Sequence, residues 1–279
     1  GILIGQVIPK DGNSKLLINS SRIVPSSISF TEDSLAKITN FGGIIGNLQI
    51  GTKQATDEDQ AGESEEAKEI IYQSKLNNIT LGSESSIENR FNINIQAITI
   101  RENTDKYFGG LIGNVNKVET NADKLVLNKI ATNGALRLVS EFNNVGGLVG
   151  KIADSTIIQL GNDIKIGESN DNNDIQLNVG AAANADTFVG GIIGNNYGTF
   201  DIQAPLNIGT QTGVTISADI TNESKSAYAG GLVGKNNNES GIKNTKNNIF
   251  MGKKELTSFE SISYVFAGYN GMNLESKTA

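Results

Sequence analysis

Gly42-Gly43-Ile44-Ile45-Gly46 returns as Gly109-Gly110-Leu111-Ile112-Gly113, Gly146-Gly147-Leu148-Val149-Gly150, Gly190-Gly191-Ile192-Ile193-Gly194 and Gly230-Gly231-Leu232-Val233-Gly234. Five copies of one string make this a repeat protein. Gly1-Ile2-Leu3-Ile4-Gly5 fits as a copy with one glycine replaced, and Ala267-Gly268-Tyr269-Asn270-Gly271 fits as a decayed last copy. Counted from the first position of each copy, the spacings are 41, 67, 37, 44, 40 and 37 residues. A period of about forty residues marks a stacked or arrayed architecture. The outlier has a visible cause, the acidic stretch at residues 56–69, Thr-Asp-Glu-Asp-Gln-Ala-Gly-Glu-Ser-Glu-Glu-Ala-Lys-Glu. It reads as a loop insertion, solvated or partly helical toward Glu69-Ile70-Ile71-Tyr72.

Two further segments recur between successive glycine strings. One ends in aliphatic-x-aliphatic-Gly: Ile79-Thr80-Leu81-Gly82, Ile164-Lys165-Ile166-Gly167, Leu206-Asn207-Ile208-Gly209 and Ile249-Phe250-Met251-Gly252, with Leu125-Val126-Leu127-Asn128 as a variant. The other alternates: Ile93-Asn94-Ile95, Leu136-Arg137-Leu138, Ile175-Gln176-Leu177-Asn178-Val179 and Val214-Thr215-Ile216. Alternation of period two between turn-forming residues predicts short half-buried strands, about three per repeat, and no convincing helix. One such unit cannot bury its apolar side alone. Stacked about 4.8 Å apart, equivalent strands build parallel sheets around one continuous core. The expected fold is therefore all-β, a parallel β-helix or β-solenoid of about six stacked repeats, forming a single domain over residues 1–279 within a longer chain.

In this register Ile44, Leu111, Leu148, Ile192 and Leu232 form one ladder, and Ile45, Ile112, Val149, Ile193 and Val233 an adjacent one. Read as neighbours along a strand, the two ladders face opposite ways, so both faces of that strand need cover. The glycines are expected at corners or close backbone approaches, through positive φ or the lack of a Cβ.

Composition removes whole classes of chemistry. Zero Cys and zero His exclude disulfide scaffolds, thiolate or imidazole metal sites, and Cys- or His-based catalysis. A net charge of −7, with no basic stripe, argues against nucleic acid or anionic membrane as a partner. Gly at 32 against Pro at 3 places the glycines in ordered backbone. No run of roughly 18 apolar residues exists to span a membrane. The start at Gly1 reads as a processed chain or an excised part of a longer one.

The glycine strings resemble the GLUG repeat, whose Gly-Leu-x-Gly core occurs in multiple copies in large bacterial surface and secreted proteins. Gly146–Gly150 and Gly230–Gly234 match it best. The resemblance runs periodically from Gly1 to about Gly271. It implies an extracellular stalk, passenger or adhesive region of a larger bacterial protein, with no catalytic residues to carry over.

Other readings of the glycines fail. A P-loop ending at Gly150-Lys151 would have Val145 as its first glycine and Ile152 as its Ser/Thr; at Gly234-Lys235 these are Ala229 and Asn236. For calcium, Asp57, Asp59 and Gly62 fit positions 1, 3 and 6 of an EF-hand loop, but Ala61 and Lys68 break positions 5 and 12. Asp171, Asn172, Asn173 and Asp174 read as an exposed turn. Carboxylate catalysis would need converging acids, with Asp163, Glu168, Asp201, Asp219 and Glu223 as candidates on adjacent turns, yet Asp and Glu also flank strands simply for solubility. Sequons at Asn19, Asn78, Asn222 and Asn238 are expected by chance in so Asn-rich a chain. Asn47, Asn114 and Asn195 follow the last glycine of their strings and are expected to stack locally as an amide ladder, broken by Lys151 and Lys235.

The sequence thus points to a structural or adhesive segment of a bacterial cell-surface or secreted protein, extracellular, acting as a rigid stalk or binding a protein or glycan ligand on a cell or matrix. The alternatives are a self-assembling fibre or surface-layer subunit and a carbohydrate-active β-helix enzyme. The expectation is of no enzyme, no cofactor, no metal and no catalytic residue.

Overall fold

The computed structural model describes residues 3–8, 16–23, 38–50, 73–82, 92–95, 105–117, 124–133, 137–140, 142–168, 175–179, 186–208, 214–218, 227–237, 241–244, 249–251, 254–255 and 267–270. Among them there is no helix, and every strand pairs in parallel except Lys254–Glu255, which runs antiparallel to Ile249–Met251. The chain is a parallel β-solenoid. The acidic insertion at 56–69, with Asp57, Asp59 and Gly62, lies outside the described residues, as do Asp171 to Asp174, Asp219 and Glu223.

Among the described residues four parallel sheets line the stack, and the chain visits them in a fixed order. Sheet I holds Ile4–Val7, Ile45–Ile50, Ile112–Lys117, Val149–Ile152, Ile193–Asn196, Val233–Asn236 and Ala267–Asn270. Sheet II follows with Leu17–Ile23, Gln73–Leu81 and Lys124–Asn133, then the split pairs Ile157–Leu160 with Ile164–Glu168, Thr199–Ile202 with Leu206–Ile208, and Ile242–Asn244 with Ile249–Met251. Sheet III contains Asn92–Ile95, Arg137–Ser140, Ile175–Val179 and Val214–Ala218. Sheet IV contains Asn40–Gly42, Tyr107–Gly109, Asn144–Gly146, Thr187–Gly190 and Ala227–Gly230, and leads through the glycine string back into sheet I. Val149 pairs with Ile112 on one side and Ile193 on the other, so one repeat of about forty residues makes one coil. A repeat therefore contributes four or five strands, where the sequence pattern suggested about three. The glycine string is a corner joining two strands, and sheet II carries, ahead of the aliphatic-x-aliphatic-Gly segment, a first leg such as Ile157–Leu160 and Thr199–Ile202 that its variable side chains concealed.

Alternation along each strand sets what is inside. In Ile157–Leu160 and Thr199–Ile202 the second and fourth residues are buried and the others half-exposed. Leu125, Ile158 and Phe200 stack in register, as do Leu127, Leu160 and Ile202, all fully buried. Phe41, Phe108 and Phe142 form a run of ring contacts with centroids 5.5 and 6.1 Å apart. The two ladders beginning at Ile44 and Ile45 belong to one core cluster, not to opposite faces. The reason is geometric: Ile44 is the corner residue between strands ending at Gly42 and starting at Ile45, so strand alternation does not apply across the pair.

The glycines of the string work through the missing Cβ. Among the described glycines only Gly82 has a positive φ. A Cβ on Gly109 would overlap the carbonyl of Ile112 in its own corner and lie 2.7 Å from the amide of Gly150 in the next string. A Cβ on Gly150 would lie 2.7 Å from the Phe108 amide. The first glycine of one string and the last of the next thus let sheets IV and I touch backbone to backbone.

Register corrects three readings. Ala267 pairs with Val233, so the last copy is Tyr264-Val265-Phe266-Ala267-Gly268, keeping only its final glycine, and not the string starting at Ala267. Leu125–Asn128 belongs to the first leg of sheet II, opposite Ile158–Leu160; the counterpart of Ile79–Leu81 is Ile130–Thr132, whose buried Thr132 hid it from an aliphatic search. Leu138 pairs with Ile93, which shifts the alternating segment by one pleat from the match of Leu136 with Ile93.

Candidate functional site

The densest polar and aromatic chemistry lies where sheets IV and I meet. Register stacks Asn40, Tyr107, Asn144, Phe188 and Tyr228 along sheet IV, each two residues before a first glycine. It stacks Asn47, Asn114, Lys151, Asn195 and Lys235 along sheet I, each following a last glycine. Because the glycines bring one string against the next, contacts between the rows are diagonal. Lys151 Nζ sits 4.7 Å from the Tyr107 ring centroid and donates to its hydroxyl at 3.3 Å. Asn195 Nδ2 donates to Asn144 Oδ1 at 2.8 Å, and Lys235 Nζ lies 4.6 Å from the Phe188 ring. Aromatic–cation and amide–amide pairs therefore alternate coil by coil.

Local charge tunes the first of these pairs. Burial first, then the Asp105 carboxylate, the Tyr197 hydroxyl and a hydrogen bond to Asp105 hold the Tyr107 phenol well above its usual range. Burial pulls the Lys151 ammonium below its usual value, and Asp105 partly opposes that. The Tyr197 ring centroid lies 5.4 Å from the same Nζ. The result is a half-covered cation in contact with two rings, suited to fixing coil against coil.

A buried amide network continues from this wall. Asn144 Nδ2 donates to the Lys106 carbonyl at 3.3 Å, and Asn237 Nδ2 donates to Asn195 Oδ1 at 2.7 Å. Asn114 Nδ2 reaches Asn47 Oδ1 at 3.1 Å, so the expected ladder exists as a single rung, and Lys151 ends it. A second amide pair was not anticipated. The inward row Leu48, Val115 and Ile152 continues as Asn196 and Asn236, with Asn196 Nδ2 donating to Asn236 Oδ1 at 2.9 Å and to the Gly241 carbonyl at 3.0 Å. Buried amides persist where each finds such partners. Lys106 is also buried, donating to the Ile38 carbonyl at 3.2 Å beside the Phe142 ring.

Among the described residues, the candidate acids Asp163, Glu168 and Asp201 do not gather in one register. Asp163 is an exposed corner residue, 3.1 Å from Lys165. Asp201 accepts from Gln203 Nε2 at 2.8 Å, and its cross-coil neighbours are Gln159 and Lys243. Glu168 ends the second leg of sheet II, opposite Asn133. Among the described residues no group of three or more carboxylates is placed to hold a metal, and no helix is long and apolar enough to cross a membrane. No family model, curated protein or solved structure matches the chain.

Proposed function

We propose that the chain is a structural or adhesive segment of a bacterial cell-surface or secreted protein, with the solenoid as a rigid spacer. The observation that supports this is hydrogen bonding that continues from coil to coil through the corners. The Leu111 carbonyl accepts from the amides of both Ile44 and Ile45, Leu148 from Leu111 and Ile112, Ile192 from Leu148 and Val149, and Leu232 from Ile192 and Ile193. Among the described residues, the glycine corners are thus bonded from coil to coil as the strands are. The likeness of Gly146–Gly150 to the GLUG core supports an extracellular setting. Pulling single molecules along the stack is expected to show a stiff rod yielding in steps of about one repeat. A screen against acidic and neutral polysaccharides run beside it is expected to show retention or nothing. Depolymerisation abolished by Asp201→Asn would overturn the reading in favour of an enzyme.

A further inference from the structure

We propose that the outer wall around Lys151 and Lys235 binds a linear acidic polysaccharide with a carboxylate on every second sugar, laid along the stack. This wall is the outward face of sheet I. On either side of the inward row Leu48, Val115, Ile152, Asn196 and Asn236, the side chains that sheet I turns outward from Asn47 to Lys235 are amides and lysines. Among the described residues no carboxylate takes an outward position on these strands, although the chain carries a net charge of −7. Tyr197 and Asn237 extend the face just past the strands that end at Asn196 and Asn236. Lys151, Tyr197, Tyr228, Lys235 and Asn237 are all half-buried, so the wall presents cations, rings and an amide to solvent.

Lys151 has the chemistry of an anion site. An ammonium has three donors, and Lys151 uses one of them on the Tyr107 hydroxyl. None of the described carboxylates forms an ion pair with it. Asp105, whose field reaches it, is bonded instead to Asn143 Nδ2 at 2.8 Å and to the Tyr107 hydroxyl at 3.4 Å. A half-covered cation with no anion in contact pays for its lost hydration, and a ligand carboxylate would offset that cost. Lys235 repeats the setting over Phe188, whose ring stacks 5.3 Å from that of Tyr228 at an angle of 8°.

Spacing selects the polymer. Lys151, Asn195 and Lys235 are successive partners in one ladder, so the two cations stand two strand spacings apart, about 9.6 Å. An extended pyranose ring spans close to one strand spacing, so an acid on every second sugar falls on every second coil. Tyr197 and Tyr228 stand beside that path with flat ring faces suited to sugars. An extended peptide presents acids on one face about 6.6 Å apart, and a nucleic acid strand carries a phosphate about every 3.4 Å, so neither keeps step with the lysines.

Such binding rests on the chain being a spacer or adhesive segment. The full chain is titrated with hyaluronate, which carries a carboxylate on every second ring, with polygalacturonate, which carries one on every ring, and with hyaluronate whose carboxyls are reduced to alcohols. Hyaluronate is expected to bind more tightly than polygalacturonate, and the reduced polymer not to bind. Lys151→Gln and Lys235→Gln should each weaken hyaluronate binding roughly tenfold, the contribution of about one charge-assisted hydrogen bond. Lys165→Gln removes the same charge from sheet II, beside Asp163, and should leave binding unchanged. Melting temperatures separate lost contacts from a lost fold, and Lys235→Gln with the reduced polymer decides the matter if Lys151→Gln unfolds. Absence of hyaluronate binding, equal binding of the reduced polymer, tighter binding of polygalacturonate or polyglutamate, or an equal loss on Lys165→Gln would overturn the proposal. A chain that pulls as a stiff rod yet ignores hyaluronate overturns this ligand alone, whereas depolymerisation lost on Asp201→Asn overturns the spacer reading itself.

Discussion

Gly150 sits between the Gly113 carbonyl and the Phe108 backbone, and no rotamer change can make space for a methyl there. Gly150→Ala should therefore cost at least the upper part of the about 1–3 kcal/mol typical of overpacking, measured by denaturant unfolding. Gly161 differs, because its nearest atom is the Asn128 side-chain oxygen, which can move. Tyr107 and Lys151 give a pH signature in two parts. A Tyr whose folded pKa is raised above 10.0 contributes stability that is intact below pH 10.0 and lost above it. A Lys whose folded pKa is lowered from 10.5 contributes stability present above pH 10.5 and lost as pH falls through the folded value. Unfolding free energy should accordingly rise with pH on the Lys151 limb and fall above pH 10.0 on the Tyr107 limb. Lys151→Met should flatten the rise and Tyr107→Phe the fall.

Sheet II turns its corner on residues that are not glycine. Ser20, Asn78, Lys129 and Asp163 occupy one register position, with φ of 53°, 58°, 50° and 58°. Left-handed backbone costs an ordinary L residue about 1–2 kcal/mol, less for Asn, whose short amide bonds locally. Asn78 also bonds across the coil boundary, donating Nδ2 to Ser20 Oγ at 3.0 Å. Lys129→Asn should extend that pairing and raise stability by roughly 1 kcal/mol in thermal or denaturant melts. The next coil has Pro205 at this position, opposite Asp163, and a proline ring forbids the left-handed corner. This corner was illegible in the sequence because no single residue type recurs there, and Lys129 and Pro205 interrupt the short polar residues that favour it.

At the scale of the molecule, the link from sheet I to sheet II varies while the strands it joins keep register. Residues 118–123, 153–156 and 197–198 span that link in later coils, and residues 51–72 span it in the coil with the acidic insertion. Ile45–Ile50 and Gln73–Leu81 nevertheless pair with Ile112–Lys117 and Lys124–Asn133 like any others. Deleting residues 56–69 leaves a link close to the length of 118–123, so stability should change by no more than about 1 kcal/mol, because closure entropy depends only logarithmically on length. A large fall in melting temperature would mean that the segment braces the stack. Removing residues 146–189, one whole coil, should leave a folded, shorter solenoid with its β circular dichroism intact, since Phe188 to Gly190 and Asn144 to Gly146 are register equivalents.

The sequence by itself determined the repeat, the parallel stacking and the aliphatic core, because packing equivalent coils demands the same side chains at the same period. Gly-Gly-Leu-Val-Gly could be read as a corner for that reason. Only the tertiary structure decided that the first glycine of one string meets the last glycine of the next, which sets Tyr107 against Lys151 and Asn144 against Asn195 across a coil boundary. Those pairs lie 44 and 51 residues apart along the chain, and nothing in a linear pattern fixes a diagonal offset. Backbone contact between sheets IV and I fixes it, since the strands can approach closely only where both lack a Cβ.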